Sequence, residues 1–387
     1  MIRDLIKELS SIECVGSPFI SLYFNLSINS RGRKNYKHFI KKKSSEIEES
    51  LKGDKRAYES FKNDLEKIER YLDFEIGSET LGVAIFACHE EGIFKTLQIP
   101  APFNNQMTVS SFPQLSQLAS KMKQGETVAV VVGDTNSVRI FFMVFGKEVE
   151  QEFLEREDVD EVRMKRFSSR VSEAGGKGFT YGGYSKKVDA YEESLIKAFV
   201  KDVSEHLDRW RRDKRYKHLI LMGNENFIIL LDKALHQKVK QMLIGSRRIE
   251  PFSSDLLILE SAEEIYHSFL ERSRKEIQKI LVEENLSDGL AVVGVEPTIV
   301  ALTKGQVDAL VLSSDLNRQS IRCSKCAFIT AAGEPKTCPL CGSGVVRSDL
   351  KEAMISSASR MNGDIWVVEA TDELKRYGGV GALLRFR

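Results

Sequence analysis

The chain has 387 residues, 42% hydrophobic and 29% charged, with 57 Lys and Arg against 56 Asp and Glu. That apolar share excludes disorder over most of the length, and about 100–200 residues per domain suggest two or three domains. A net charge of +1 excludes a global field for polyanions, so any nucleic-acid surface must come from local segregation of charge.

No apolar run approaches the ~20 residues of a membrane helix. The opening MIRDLIKELSSIE carries acids and lacks an apolar core with a small-residue cleavage site, so no signal peptide is expected. A soluble, cytoplasmic protein with no membrane contact is expected.

Residues 1–124 read as an α/β unit. Ser17–Ser27, Leu81–Cys88 and Ile93–Ile99 have the aromatic and β-branched content of strands. Between the first two, residues 35–74 predict a helical hairpin broken at Gly53-Asp54. Its start is basic, with Arg31, Arg33, Lys34, Lys37, Lys41, Lys42 and Lys43 and no acid among them. A solvated helical face and a nucleic-acid surface both account for that run.

Lys123–Glu126 reads as a linker into a second unit, residues 125–259. TVAVVV, SVRIFFMVF and EVEQEF, joined at Gly133-Asp134 and Gly146-Lys147, predict an antiparallel meander. Asp134 suits the backbone geometry of its turn. A long loop follows, then a helix whose stripe is Val188, Tyr191, Leu195, Phe199, Val203, Leu207 and Trp210. It ends in a second basic run, Arg209 to Lys217, where cations complement the helix dipole or contact RNA. His218–Gly223 predicts a strand and residues near Phe227–Leu243 a helix.

The third unit, residues 260–387, opens on a charged helix, Ala262–Val282. Gly289–Val295, the helix Pro297–Lys304 and Ala309–Leu316 predict a strand-helix-strand with a parallel sheet. A cysteine-rich insertion over 321–347 interrupts it. The helix Asp349–Met361, a strand from Asp364 and the terminal GGVGALLRFR follow. The whole is α/β and multi-domain.

Four of six cysteines form Cys323-Ser-Lys-Cys326 and Cys338-Pro-Leu-Cys341, separated by eleven residues. Each CxxC wraps a tight turn that points both sulfurs inward, and four thiolates suit Zn²⁺ in a closed tetrahedral site. With every position filled by Cys, the role is structural, and Lys325 and Lys336 offset part of its charge. Cys14 and Cys88 stand alone. The histidines, at 38, 89, 206, 218, 236 and 267, are scattered and read as surface or packing residues.

The loop 163–187, RMKRFSSRVSEAGGKGFTYGGYSKK, carries Arg163, Lys165, Arg166, Arg170, Lys177, Lys186 and Lys187 against the single acid Glu173. Its glycines allow close backbone approach, and Phe179, Tyr181 and Tyr184 offer faces for stacking on bases. Such a cationic, aromatic segment ahead of a helix suits a phosphate-bearing partner; a solvated loop is the plainer account. Neither GxxxxGK[ST] nor a strand-linked GxGxxG is present, so an ATPase or dinucleotide enzyme is not expected.

This order of parts resembles the archaeal–eukaryotic class I peptide release factors and Pelota, and within them the bacterial release-factor-like branch. The resemblance spans essentially the whole chain and is most specific in GLAVVGVEPTIVALTKGQVDALVL, the CxxC ribbon and GGVGALLRFR. It implies an α/β first domain, a ribonuclease H-like middle domain, and a third domain like the ribosomal proteins that bind kink-turn RNA, carrying the zinc-ribbon insertion. It also implies ribosome binding in the tRNA site, with contacts to tRNA and rRNA. The family's Gly-Gly-Gln falls on Gly182-Gly183-Tyr184-Ser185, where Tyr184 replaces the glutamine that positions water. The stop-codon-reading Asn-Ile-Lys-Ser loop, expected near Lys52-Gly53-Asp54-Lys55, is absent. A non-decoding factor in ribosome rescue or quality control is the expectation. Two alternatives stand beside it: a peptidyl-tRNA ester hydrolase using the variant loop, and a scaffold docking a translational GTPase or ABC-type ATPase through residues 260–387.

Overall fold

The first segment opens with α1 (Ile2–Ser10), an element the sequence reading did not contain, whose Ile2, Ile6 and Leu9 are buried along one face. The computed structural model describes residues 1–12, 17–27, 36–156, 181–326, 328–331, 333 and 335–386, with backbone alone over 181–188. β1 (Phe19–Asn25) is the apolar strand expected there. The helical hairpin is α2 (Tyr36–Leu51) and α3 (Lys55–Phe74), broken at Gly53-Asp54, where the Asp54 side chain accepts the Ala57 N–H. β2 (Gly82–Cys88), β3 (Ile93–Ile99) and β4 (Gln106–Ser110) complete an antiparallel sheet in the order β3-β2-β1-β4. Ile20, Leu22, Val83 and Ile85 pack on Phe61, Leu65 and Ile68 of α3. The short α4 (Ser116–Met122) ends the segment.

The meander follows as read: β5 (Val128–Gly133), β6 (Ser137–Val144) and β7 (Lys147–Glu155). Asp134 Oδ1 accepts the N–H groups of Asn136 and Ser137, which is the turn role expected of it. α5 (Tyr181–Arg212) leads to β8 (His218–Gly223), which lies parallel to β5.

The single helix expected near 227–243 is instead α6 (Glu225–Ala234), a break at Leu235, the one-turn α7 (Gln237–Lys240) and a strand, β9 (Leu243–Arg248). β9 pairs parallel with β8, and that pairing overrides the helical pattern of a short apolar run. The sheet order is β7-β6-β5-β8-β9. One face packs on α5 and α6 through Phe199, Val203, Leu207, Phe227 and Leu231. The other packs on Ile258, Ala262, Tyr266 and Leu270.

Those last residues belong to α8 (Asp255–Leu286), a continuous helix through position 260, where the sequence suggested a boundary. β10 (Ala291–Val293), α9 (Val295–Thr303) and β11 (Val307–Ser313) follow. The ribbon comprises β12 (Gln319–Cys323), β13 (Ile329–Thr330) and β14 (Val345–Asp349), in the order β13-β12-β14. α10 (Leu350–Arg360), β15 (Asp364–Val368), α11 (Asp372–Arg376) and β16 (Val380–Leu384) end the chain.

The parallel sheet expected here is mixed. β16 inserts antiparallel between β10 and β11, and only β11 and β15 run parallel, giving β10-β16-β11-β15. Gly381 permits the insertion, because a Cβ there would lie 2.6 Å from Leu281 and 2.8 Å from the Val292 carbonyl.

Contacts divide the chain into two compact units, residues 1–123 with 272–387, and residues 124–271. The first and third sequence segments therefore share one unit. Among the described residues no helix is long and apolar enough to cross a membrane.

Candidate functional site

The structure gathers the four ribbon cysteines. β12 delivers Cys323, and the turn after it brings Cys326 alongside; the second pair wraps a turn closed by the Gly342 N–H on the Cys338 carbonyl. Gly342 takes φ +72, a conformation that glycine reaches without the Cβ penalty. Cys323 and Cys341 sulfurs stand 3.5 Å apart, as do those of Cys326 and Cys338, and all four lie within 4.8 Å of one another. Tetrahedral thiolates at about 2.3 Å from an ion sit about 3.8 Å apart, so the cluster fits a four-sulfur metal site.

The local donors also fit. The N–H groups of Lys325 and Cys326 point at the Cys323 sulfur at 3.2 and 3.4 Å, as expected where negative charge collects on sulfur. Cys323 and Cys338 are buried and Cys341 is exposed. Hydrogen bonds from Ser343 bring the Cys341 thiol down to about 6, whereas burial pushes Cys326 up to about 12. The sequence reading named the four ligands and missed Ser343; its place two residues after the last cysteine is the signal that could have found it. Among the described residues this is the one group of His, Cys, Asp or Glu arranged to hold an ion. His218 instead meets Glu126 at 2.9 Å, beside Tyr266 and Phe269, and the His206 ring meets the Asp202 carbonyl, both packing roles.

The basic runs separate by what their cations do. In the run that closes α5, Arg211 and Arg212 pair with Asp208, Lys217 pairs with Glu126, and Arg215 pairs with Glu150 and Glu152. The Arg215 guanidinium also lies over Phe142 and Trp210, at 4.4 and 5.0 Å from their ring centres. Most of that run is thus spent on intramolecular pairs, which favours the structural account of it. On α2, Lys37 pairs with Asp73 and Lys43 with Glu46, while Lys41 and Lys42 are exposed. Arg31, Arg33 and Lys34 lie outside the described residues.

Arg163, Lys165, Arg166, Arg170 and Lys177 also lie outside the described residues. The rest of that segment differs from the expected loop, because the backbone from Tyr181 onward is helical. Gly182, Gly183, Tyr184, Ser185, Lys186 and Lys187 occupy the first two turns of α5. Two adjacent glycines cost about 1 kcal/mol each in a helix interior, and that low propensity is why the pattern reads as loop. The stripe on α5 becomes buried only from Phe199; Tyr191 is exposed and Leu195 half-buried.

Residues 113–267 match the family model described as bacterial archaeo-eukaryotic release factor family 10, and residues 270–387 match that of eRF1 domain 3. No curated protein matches the chain. Among solved structures, the archaeal translation termination factor aRF1 aligns at 14% identity over 100% of this chain and 97% of its own, with a TM-score of 0.24. Dom34 of S. cerevisiae, described as a translation termination-like factor involved in RNA quality control pathways and interacting with Hbs1, aligns at 13% identity over 79% of each chain, TM-score 0.40. An archaeal Pelota in a ribosome-bound assembly with ABCE1 aligns at 15% identity over 79% of this chain and 78% of its own, TM-score 0.38.

Proposed function

Given that the chain belongs to the archaeo-eukaryotic release factor and Pelota superfamily, we propose that it is a non-decoding, ribosome-associated translation factor acting in rescue or quality control. In this reading it is cytoplasmic and occupies the tRNA site, with Arg163, Lys165, Arg166, Arg170, Lys177, Lys186 and Lys187 lying against tRNA or rRNA phosphates. The observation that carries it is the succession of a family-10 match and an eRF1 domain 3 match along one chain. The non-decoding part rests on the sequence, which has no Asn-Ile-Lys-Ser near Gly53, and hydrolysis is set second because Tyr184 stands where the family's Gly-Gly-Gln has glutamine. A tyrosine hydroxyl, with a pKa near 10, is a weak base for activating water at neutral pH.

Cys323, Cys326, Cys338 and Cys341 hold a structural Zn²⁺ in this reading, and residues 260–387 dock a translational GTPase or ABC-type ATPase. The metal would supply folding energy to an insertion with little core of its own.

Sedimentation with ribosomes across a salt series tests the proposal. Replacing Arg166, Arg170 and Lys177 together by Ala should weaken association and lower the salt slope by about two to three. Binding by the triple variant equal to that of the parent chain would overturn it. Release of labelled peptide from stalled ribosomes tests the hydrolytic alternative; release abolished by Tyr184→Ala would favour that reading instead.

A further inference from the structure

The ribbon is built into the seam where residues 1–123 meet residues 272–387. Its last strand, β14, runs without a break into α10, with Asp349 as the shared residue. Asp349 closes the register with β12 opposite Gln319, and its Oδ1 caps α10 by accepting the Lys351 and Glu352 N–H groups. Nine residues of α10 are buried, Glu352 among them at 6% exposure.

Three polar side chains of α10, those of Glu352, Ser356 and Arg360, reach the first segment. The Glu352 carboxylate accepts the N–H groups of Leu115 and Ser116, the latter at 3.1 and 3.2 Å. These are the orphan donors at the start of α4, for which no side chain in its own segment provides a cap. Ser356 Oγ and Arg360 Nε both donate to the Ser10 carbonyl at the end of α1, at 3.2 and 2.7 Å. A buried carboxylate is tolerable only while such donors face it, so this contact discriminates sharply between the closed and open seam.

The ribbon reaches the same seam a second time. Arg322, the neighbour of Cys323 on β12, is buried with its guanidinium 3.8 Å from the ring centre of Phe112. Cys326 and Phe328 line one crevice with Ser356 and Arg360. One ribbon strand, β12, thus carries a residue that meets the first segment, and another, β14, carries the cap of the helix that grips it.

We propose that the cysteine ribbon is a metal-dependent clasp. With an ion drawing the four thiolates together, β12 and β14 fix Arg322 and α10 where they grip Phe112, Leu115, Ser116 and Ser10. With the ion gone, β14 loses its register, α10 loses its cap and the first segment is released from the third. The clasp rests on the four-thiolate site holding an ion, and on neither ribosome binding nor any catalytic activity.

Amide hydrogen exchange on the full chain tests it, with ion content measured before and after a chelator. Loss of the ion should speed exchange at Leu115, Ser116 and across α1 by at least about ten-fold, the scale of one buried charge-assisted bond. β5 and β8, in the other unit, should not change and serve as the folding control. Glu352→Gln should speed exchange at Leu115 and Ser116 with the ion fully retained, which separates the grip from the metal. Unchanged exchange at these amides after the ion is removed would overturn the proposal, and so would a chain that binds no ion on titration with Zn²⁺. Equal loss of protection in β5 and β8 would also overturn it, because the ion would then support the whole fold rather than the seam.

Discussion

The Asp64 carboxylate, buried on α3, accepts the His89 N–H at 2.7 Å through Oδ2. Among the described residues, its Oδ1 and the Ser60 hydroxyl one turn earlier have no hydrogen-bond partner. Burial raises this carboxyl to about 6, against the opposing pull of the His89 N–H. In the unfolded chain an aspartate titrates near 4. Between about 4 and about 6 the folded chain therefore keeps a proton that the unfolded chain has released. Its contribution favours folding at low pH and is lost as pH rises through about 6. Asp64→Asn should flatten the fall in stability over that window, read from urea midpoints at a series of pH values. Identical slopes for the two proteins would refute the assignment.

Arg215 is held by two carboxylates and two aromatic faces at once. Arg215→Ala should cost about 1–3 kcal/mol by thermal or chemical unfolding. Arg215→Lys should recover little, since an ammonium lacks the planar face that stacks on Phe142 and Trp210. Arg209→Ala, on the exposed side of the same run, should stay within about 0.5 kcal/mol of the parent. A lysine variant as stable as the parent would show that stacking contributes nothing.

At the ends of β5 and β8, Gly223 lies opposite Gly133 with φ +121, and a Cβ on it would stand 2.0 Å from the Gly133 carbonyl oxygen. Backbone cannot yield as a flexible side chain does. Gly223→Ala should destabilise the chain by about 3 kcal/mol or more, measured by denaturant unfolding. A loss below about 1 kcal/mol would mean that the two strands separate readily at this point.

The four sulfurs should bind one ion per chain, counted by elemental analysis of the purified protein. Cys323→Ser, which places a hydroxyl at the buried end of the cluster, should abolish that stoichiometry. Cys341→Ser, at the exposed end, should weaken the affinity while leaving binding detectable, because water can complete the site there. Full retention of the ion by Cys323→Ser would exclude the four-sulfur set.

Some of this architecture was legible because its determinants are local. The meander rests on alternating apolar residues and two glycine turns, the hairpin break on Gly53-Asp54, and the cysteine cluster on spacing alone. Each is decided within a few residues, and the structure reproduces each. α1 and α4 were missed because they are short and bury narrow faces, and β9 because its partner, β8, is distant in sequence. The basic run after Arg209 reads as one patch in sequence. Only in three dimensions do Glu126, Glu150, Glu152 and Asp208 claim its cations.

From its residues alone the chain declared a mixed α/β architecture, a thiolate site and an affinity of order with a translation-factor family, since composition, periodicity and motif spacing are one-dimensional quantities. Tertiary structure alone decided that β16 enters between β10 and β11 and that residues 1–123 and 272–387 form one unit. It also decided that Glu352 caps a helix 236 positions away. Such choices depend on which buried donors and apolar faces find partners after the chain has collapsed, and no local pattern records a partner that lies two hundred residues off.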